Sequence, residues 1–160
     1  MRVLLIVHGF PPWATGGTEI YTHDFARALR DQDDQVFVFS READAALPEY
    51  HVRSERRDGL HLTIVNNTFG QCRSFEDTYR NPPIRRVGAA LFDDIRPDLI
   101  HIQHLTCLST DLVAEAARRH IPTLFTLNDY WLICHRGQLL DLDRRRCDGP
   151  YPVGCSRCVG

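Results

Sequence analysis

Between His8 and Glu19 the chain reads HGFPPWATGGTE, and this stretch restricts the fold more than any other. It follows a short apolar run, Val3 to Val7, that reads as a strand. It precedes a helix whose expected apolar face is Tyr21, Phe25, Ala28 and Leu29. A strand, a Pro/Gly-rich loop and a helix N-terminus make a corner where free amide N–H groups meet the positive end of the helix dipole, which suits an anion. Side chains at positions 16 and 17 would hold a phosphate or a sugar off the backbone, which gives Gly16 and Gly17 a physical use. The loop is neither the GxGxxG dinucleotide fingerprint nor a Walker loop, which needs GK[ST] after the glycines. Chemistry alone leaves two readings: a ligand loop of unspecified class, or a plain strand-to-helix connection stiffened by two prolines.

Strand-like and helix-like periods alternate along the rest of the chain. Strands are expected at Val36 to Ser40, Leu60 to Val65, Leu99 to Ile102 and Pro122 to Leu127. Ile84, Val87, Leu91 and Ile95 recur at helical spacing until Pro97 stops them. Ser109 or Thr110 can cap a further helix, favoured by Asp111 and burying Leu112, Val113, Ala116 and Ala117. Arg41 to Asp58 shows no strong pattern, and Asn66 to Pro83 is a long irregular excursion. Five strands, at least three helices and strands apolar on both faces predict an α/β domain with a mostly parallel sheet flanked by helices. A Cys-rich segment, residues 130–160, follows without a further strand, so an incomplete domain is expected.

Composition excludes several classes. A chain of 160 residues suffices for one domain with a proper core, and 43% hydrophobic with 25% charged residues is ordinary for a globular protein. A formal net charge of −2 gives a polyanion nothing to hold. Arg53, Arg56 and Arg57, and Arg144 to Arg146, lack the interleaved aromatics of a single-strand nucleic-acid platform. No apolar run approaches the roughly eighteen residues of a membrane span, and the opening MRVLLIV is too short for a signal peptide. The cytoplasm is therefore the expected compartment, and six cysteines fit it if four serve a metal or a local redox pair.

Ligands of open α/β sheets sit beyond the carboxyl ends of the strands. Four segments bring polar groups there: the Gly-rich loop, Asn66 to Thr68, Gln103 to Thr106, and Asn128 to Tyr130. His101 lies within a strand and reads as a histidine satisfied by one hydrogen bond, whereas His104 lies where the strand gives out and is the better ligand candidate. Asn128 and Asp129 suit either a site or a turn. Cys134, Cys147, Cys155 and Cys158 form C-x12-C-x7-C-x2-C, with His135 able to replace one thiolate. Three readings stay open for them: a structural zinc with four protein ligands, inert thiols, or a redox CxxC. Cys72 and Cys107 read as unconnected, buried thiols.

Taken together, FPPWATGGTEIYTHDFARAL at 10–29, DLIHIQHLTCLS at 98–109, IPTLFTLNDYWLICHRGQLLD at 121–141 and the trailing CDGPYPVGCSRC resemble the N-terminal domain of a retaining, GT-B-class glycosyltransferase of family 4. The resemblance implies a Rossmann-like, acceptor-side domain facing an absent donor-binding domain. It implies a nucleotide-sugar donor, a glycan or lipid-linked acceptor, no catalytic metal, and a peripheral contact with the inner face of a membrane. Gly16, Gly17, Thr18 and Glu19, with His104, would face the donor phosphates and substrate. Asn128 and Asp129 stand where such enzymes usually carry His-Asp near the reacting sugar, and an amide cannot take up a proton. By the same resemblance this piece alone would not turn over. The alternatives are a non-catalytic sugar or nucleotide binder on the same scaffold, and a zinc-stapled interaction module.

Overall fold

A computed structural model of the chain describes residues 1–151 and 155–159. The chain divides into two compact units, Met1–Thr126 and Leu127–Gly160.

The first unit is a six-stranded sheet with helices over it. Its strands are β1 (Arg2–Ile6), β2 (Gln35–Glu42), β3 (Val52–Arg57), β4 (Leu60–Asn66), β5 (Leu99–Ile102) and β6 (Thr123–Phe125), in the spatial order β3-β4-β2-β1-β5-β6. All neighbours run parallel except β3 and β4. The helices are α1 (Gly17–Arg30), α2 (Pro82–Ile95) and α3 (Asp111–Arg118), with a single 3-10 turn at Glu76–Thr78. The predicted α/β architecture and the five expected strands are present.

Alternation along β1 sorts the core into two faces. Val3, Leu5 and Val7 join Val36, Val38, Leu60, Leu62 and Ile64 in one cluster with Ala26 of α1, and Phe25 and Leu29 lie against it. Leu4 and Ile6 are fully buried on the other side. There α2 meets α3 so closely that a Cβ added to Gly88 would stand 2.2 Å from Leu112 Cδ2.

The sixth strand, β3, lies in the stretch that showed no pattern. Its sequence VRSERR carries no apolar alternation, because it is an edge strand held by charge. Arg57 pairs with Leu60 across a two-residue turn, Asp58-Gly59, with φ of +51° and +79°. Both residues in the left-handed region are what an Asp-Gly hairpin turn supplies, and that dipeptide was the available sequence signal.

The helix faces also differ from expectation. On α1 the buried residues are Glu19, Thr22 and Ala26, whereas Tyr21 and Ala28 are exposed. Thr22 tolerates burial because its hydroxyl donates to the Thr18 carbonyl at 2.6 Å. On α3 Val113 and Ala117 point outward, and Glu115 is buried beneath Arg85, Arg118 and Arg119. Thr110 flanks α3 without a side-chain cap, its hydroxyl donating instead to Tyr79 O, and Ser109 Oγ accepts from the Asn81 N–H. The side-chain cap belongs to α2, where Asn81 Oδ1 accepts from the Ile84 N–H at 3.1 Å. That helix ends, as expected, just before Pro97, on a left-handed Arg96.

The second unit is built from turns. Leu140 and Arg146 form one antiparallel bridge, and a short helix, α4 (Ser156–Val159), follows the described turn at Cys155. No described hydrophobic side chain of this unit is buried. Among the described residues of the whole chain, no helix is long and apolar enough to cross a membrane.

Candidate functional site

In the first unit, β1, β4 and β5 run parallel, so the segments that follow them share one edge of the sheet. After β1 the chain enters the Pro/Gly-rich loop, which contains a cis peptide between Pro11 and Pro12. The loop ends at Gly16, the extended N-cap of α1, which makes no side-chain cap. Glu19, in the first turn of α1, is buried, and His8 Nε2 donates to its Oε1 at 3.0 Å.

The two glycines have different tasks. A Cβ on Gly16 would lie 2.6 Å from Glu19 Oε2, and one on Gly9 would lie 2.7 Å from Ala14 Cβ and 3.2 Å from Glu19 Oε1. Gly16 and Gly9 therefore make room for the Glu19 carboxylate. At Gly17 an added Cβ would meet nothing within 4 Å, so this first helical position is the open one. Thr18 lies in the same turn and accepts through its carbonyl from Thr22.

The loop is clamped from outside by a contact that sequence reasoning missed. Arg53 and Arg57 of β3 each place a guanidinium 4.5 Å from the centroid of the half-exposed Trp13 ring. Arg57 also donates to Pro11 O at 3.1 Å. Behind the ring, Arg53 grips both oxygens of Glu42 at 2.9 and 2.7 Å and reaches Glu55 at 2.6 Å, and Glu55 holds Arg57 at 2.5 Å. Two arginines balanced by two glutamates make this a mount for the loop and not an anion site. A cavity of about 290 Å³ opens beside it, between Phe10, Pro12, His23, Arg57 and Leu62.

After β5 the backbone hooks back to β1, with Gln103 N–H donating to Ile6 O at 2.8 Å. His104 is buried, and its Nδ1 accepts from the Thr106 N–H at 3.0 Å. That bond leaves the proton of the neutral ring on Nε2. The His104 ring meets the His8 ring edge-on, with centroids 4.6 Å apart. His101 behaves as read: it is buried, its Nε2 lies 2.7 Å from Thr126 Oγ1, and Phe25 contacts it edge-on. Burial alone holds its pKa below the ordinary histidine value.

Asn66, the last residue of β4, and Asn67 just after it are both spent on backbone. Asn66 Nδ2 donates to the carbonyls of Asp44, Leu47 and Pro48, and Asn67 Nδ2 donates to Cys107 O. Their place at the sheet edge is structural.

Asn128 and Asp129 belong to the second unit and are exposed there. Asp129 Oδ1 accepts from the Trp131 N–H at 2.8 Å, and a Cβ on Gly137 would collide with its Oδ2 at 2.7 Å. Cys134, Cys147, Cys155 and Cys158 all line one cavity of about 500 Å³. All six cysteines are free thiols. Burial raises the Cys134 pKa, but the backbone N–H groups of Leu139, Arg136, Gln138 and Gly137 outweigh it and hold the thiol below its usual range. Among the described residues, no three His, Cys, Asp or Glu side chains are gathered closely enough to hold a metal ion as they stand. Cys72 and Cys107, expected as buried thiols, are only partly buried in the first unit.

Comparison with known proteins bears on the first unit and on most of the second. A family model, Glycosyltransferase Family 4, matches residues 15–149. A sucrose-phosphate synthase from Thermosynechococcus elongatus is similar in structure at 19% identity and a TM-score of 0.49, over 78% of this chain and 31% of that one. A trehalose-6-phosphate structure from E. coli, described as bound with UDP-2-fluoro glucose, is similar at 14% identity and a TM-score of 0.46, over 78% of this chain and 32% of that one. The chain thus spans about a third of the length of these solved relatives. No curated protein matches it. With the family match covering well over half of its residues, the chain belongs to glycosyltransferase family 4.

Proposed function

We propose that this chain forms the acceptor-facing part of a retaining glycosyltransferase that moves a sugar from a nucleoside-diphosphate donor to a glycan or lipid-linked acceptor. The family match supports transfer chemistry, and the observation that carries the local reading is the start of α1. There Gly17 leaves the backbone open while Glu19 and His8 hold the loop in place. Transfer from such a donor requires stabilisation of a departing diphosphate, which backbone N–H groups at a helix start supply without reorganisation. Gly16, Gly17, Thr18 and Glu19 shape this corner, and His104 borders it through the His8 ring. Asn128 and Asp129 are assigned to the reacting sugar, Asn128 as a hydrogen-bond donor that moves no proton. The donor nucleotide is assigned to a separate α/β domain, the reaction to the cytoplasmic side of a membrane, and no metal to the chemistry.

Asn128 favours a second reading, a binding domain on the same scaffold that does not turn over. One titration separates the two. The chain, labelled with nitrogen-15, is titrated with uridine and guanosine diphosphates, with their sugar conjugates, and with a short-chain polyprenyl-diphosphate glycan. Acceptor-side function predicts that the glycan shifts the amides of residues 9–19 and 103–106 while nucleotides bind weakly. Saturation of those amides by a nucleotide, with no response to the glycan, would overturn the acceptor assignment in favour of a nucleotide binder.

A further inference from the structure

We propose that Cys134, Cys147, Cys155 and Cys158 bind one zinc ion, and that this ion serves as the core of the second unit. The unit is 34 residues long by its bounds, and no described hydrophobic side chain in it is buried. Chains below about 40 residues rarely hold a fold without a disulfide, a metal or a partner. Something other than apolar burial must therefore order it.

Backbone hydrogen bonds bring the four cysteines to one place from three separate turns. Cys134, His135, Arg136 and Gly137 form a tight turn closed by Gly137 N–H to Cys134 O at 2.7 Å. Gly137 sits at φ +72°, a conformation that L side chains rarely adopt. A hairpin then returns the chain, with Asp141 N–H to Arg145 O and Cys147 N–H to Leu139 O, and so sets Cys147 against the end of the first turn. The third turn joins Cys155 to Cys158 through Cys158 N–H to Cys155 O, and Tyr151 N–H donates to the Cys155 sulfur at 3.3 Å. His135 ties the first turn to the third, its Nε2 lying 3.1 Å from Cys158 O. That contact uses the imidazole as a brace and leaves the four thiols as the donor set.

The sulfurs ring their cavity and do not yet meet at a point. Binding draws the three turns inward, and each thiol gives up its proton as it joins the ion, so metal uptake and ordering are one process. Four thiolates suit tetrahedral zinc and leave no position open for a substrate. The site is structural, and it stands or falls independently of the transfer chemistry.

The test is metal content of the whole chain, purified under reducing conditions without chelator, by elemental mass spectrometry. The expected result is one zinc per chain, lost in each of C134S, C147S, C155S and C158S and retained in C72S and C107S. Absence of zinc, or its retention in those four variants, would overturn the proposal. So would intact-mass evidence of a disulfide among the four in chain freshly isolated without added oxidant. Should the serine variants fail to fold, cobalt(II) added to the unaltered chain decides. Intense thiolate-to-cobalt charge-transfer bands with a tetrahedral visible envelope support the site, and their absence overturns it.

Discussion

His8 Nε2 donates to Glu19 Oε1 at 3.0 Å, tying the start of the loop, two residues past the first strand, to the first turn of the helix beyond it. The carboxylate fits only because Gly9 and Gly16 carry no side chain. Gly16→Ala would push a methyl to 2.6 Å from Glu19 Oε2 and displace it. A loss of about 1–3 kcal/mol is expected, the usual range for overfilling a filled site. Gly17→Ala, with open space around it, should leave stability unchanged or slightly raised. Urea titration of both variants checks this, and equal destabilisation by the two would contradict it.

Trp13 should behave as a fastener of the loop and not as part of the core. Trp13→Ala removes two guanidinium contacts at 4.5 Å, each worth about 0.5–1 kcal/mol at an exposed site. Hydrogen exchange should quicken at residues 9–17 and stay unchanged in the central strands, with Trp13→Phe restoring much of the protection. Uniform acceleration across the sheet would show that the ring supports the whole unit instead.

Gly88→Ala sets two effects against each other. Alanine gains about 1 kcal/mol of helix propensity over glycine. Its methyl would stand 2.2 Å from Leu112 Cδ2 and 3.7 Å from Phe39 Cε1, both fully buried side chains. Steric strain of about 1–3 kcal/mol should win. Combining the change with Leu112→Ala should cost less than the sum of the two single losses, and strict additivity in a double-mutant cycle would refute the contact.

His101 makes stability depend on pH. Burial lowers its folded-state pKa below the ordinary value of 6.5, so between the two values the unfolded chain binds more protons. The contribution is present above pH 6.5 and is lost as pH falls through the folded-state pKa. Thermal midpoints should therefore decline on acidification below neutrality, and His101→Asn should flatten that part of the profile. An unchanged slope in the variant would place the dependence elsewhere.

Sequence reasoning reached the parallel strands because Val3–Val7, Val36–Ser40 and Leu99–Ile102 are buried on both faces, and burial writes itself as unbroken apolar runs. It missed β3 because Arg53, Glu55 and Arg57 stabilise that strand through charge, which leaves no hydrophobic period to read. The helix faces shifted for a related reason. Thr22 and Glu115 are buried because a backbone carbonyl and three arginines satisfy them, and such partners lie far along the chain or are invisible to periodicity. At the candidate site the glycine pair was legible as a loop of special backbone. Its division of labour was not, since Gly16 answers to a carboxylate three residues ahead and Gly17 to open space. Trp13 gave no signal, because its meaning depends on two arginines about forty residues later.

The two flanks of the sheet are chemically unlike. On one side β3 ends the sheet with a strand rich in arginine and glutamate, the composition that resists pairing with another backbone. On the other, β6 is three residues long, uncharged, and carries a half-exposed Leu124. A further strand would meet a charged border beside β3 and an uncharged one beside β6, so the two edges resist pairing unequally.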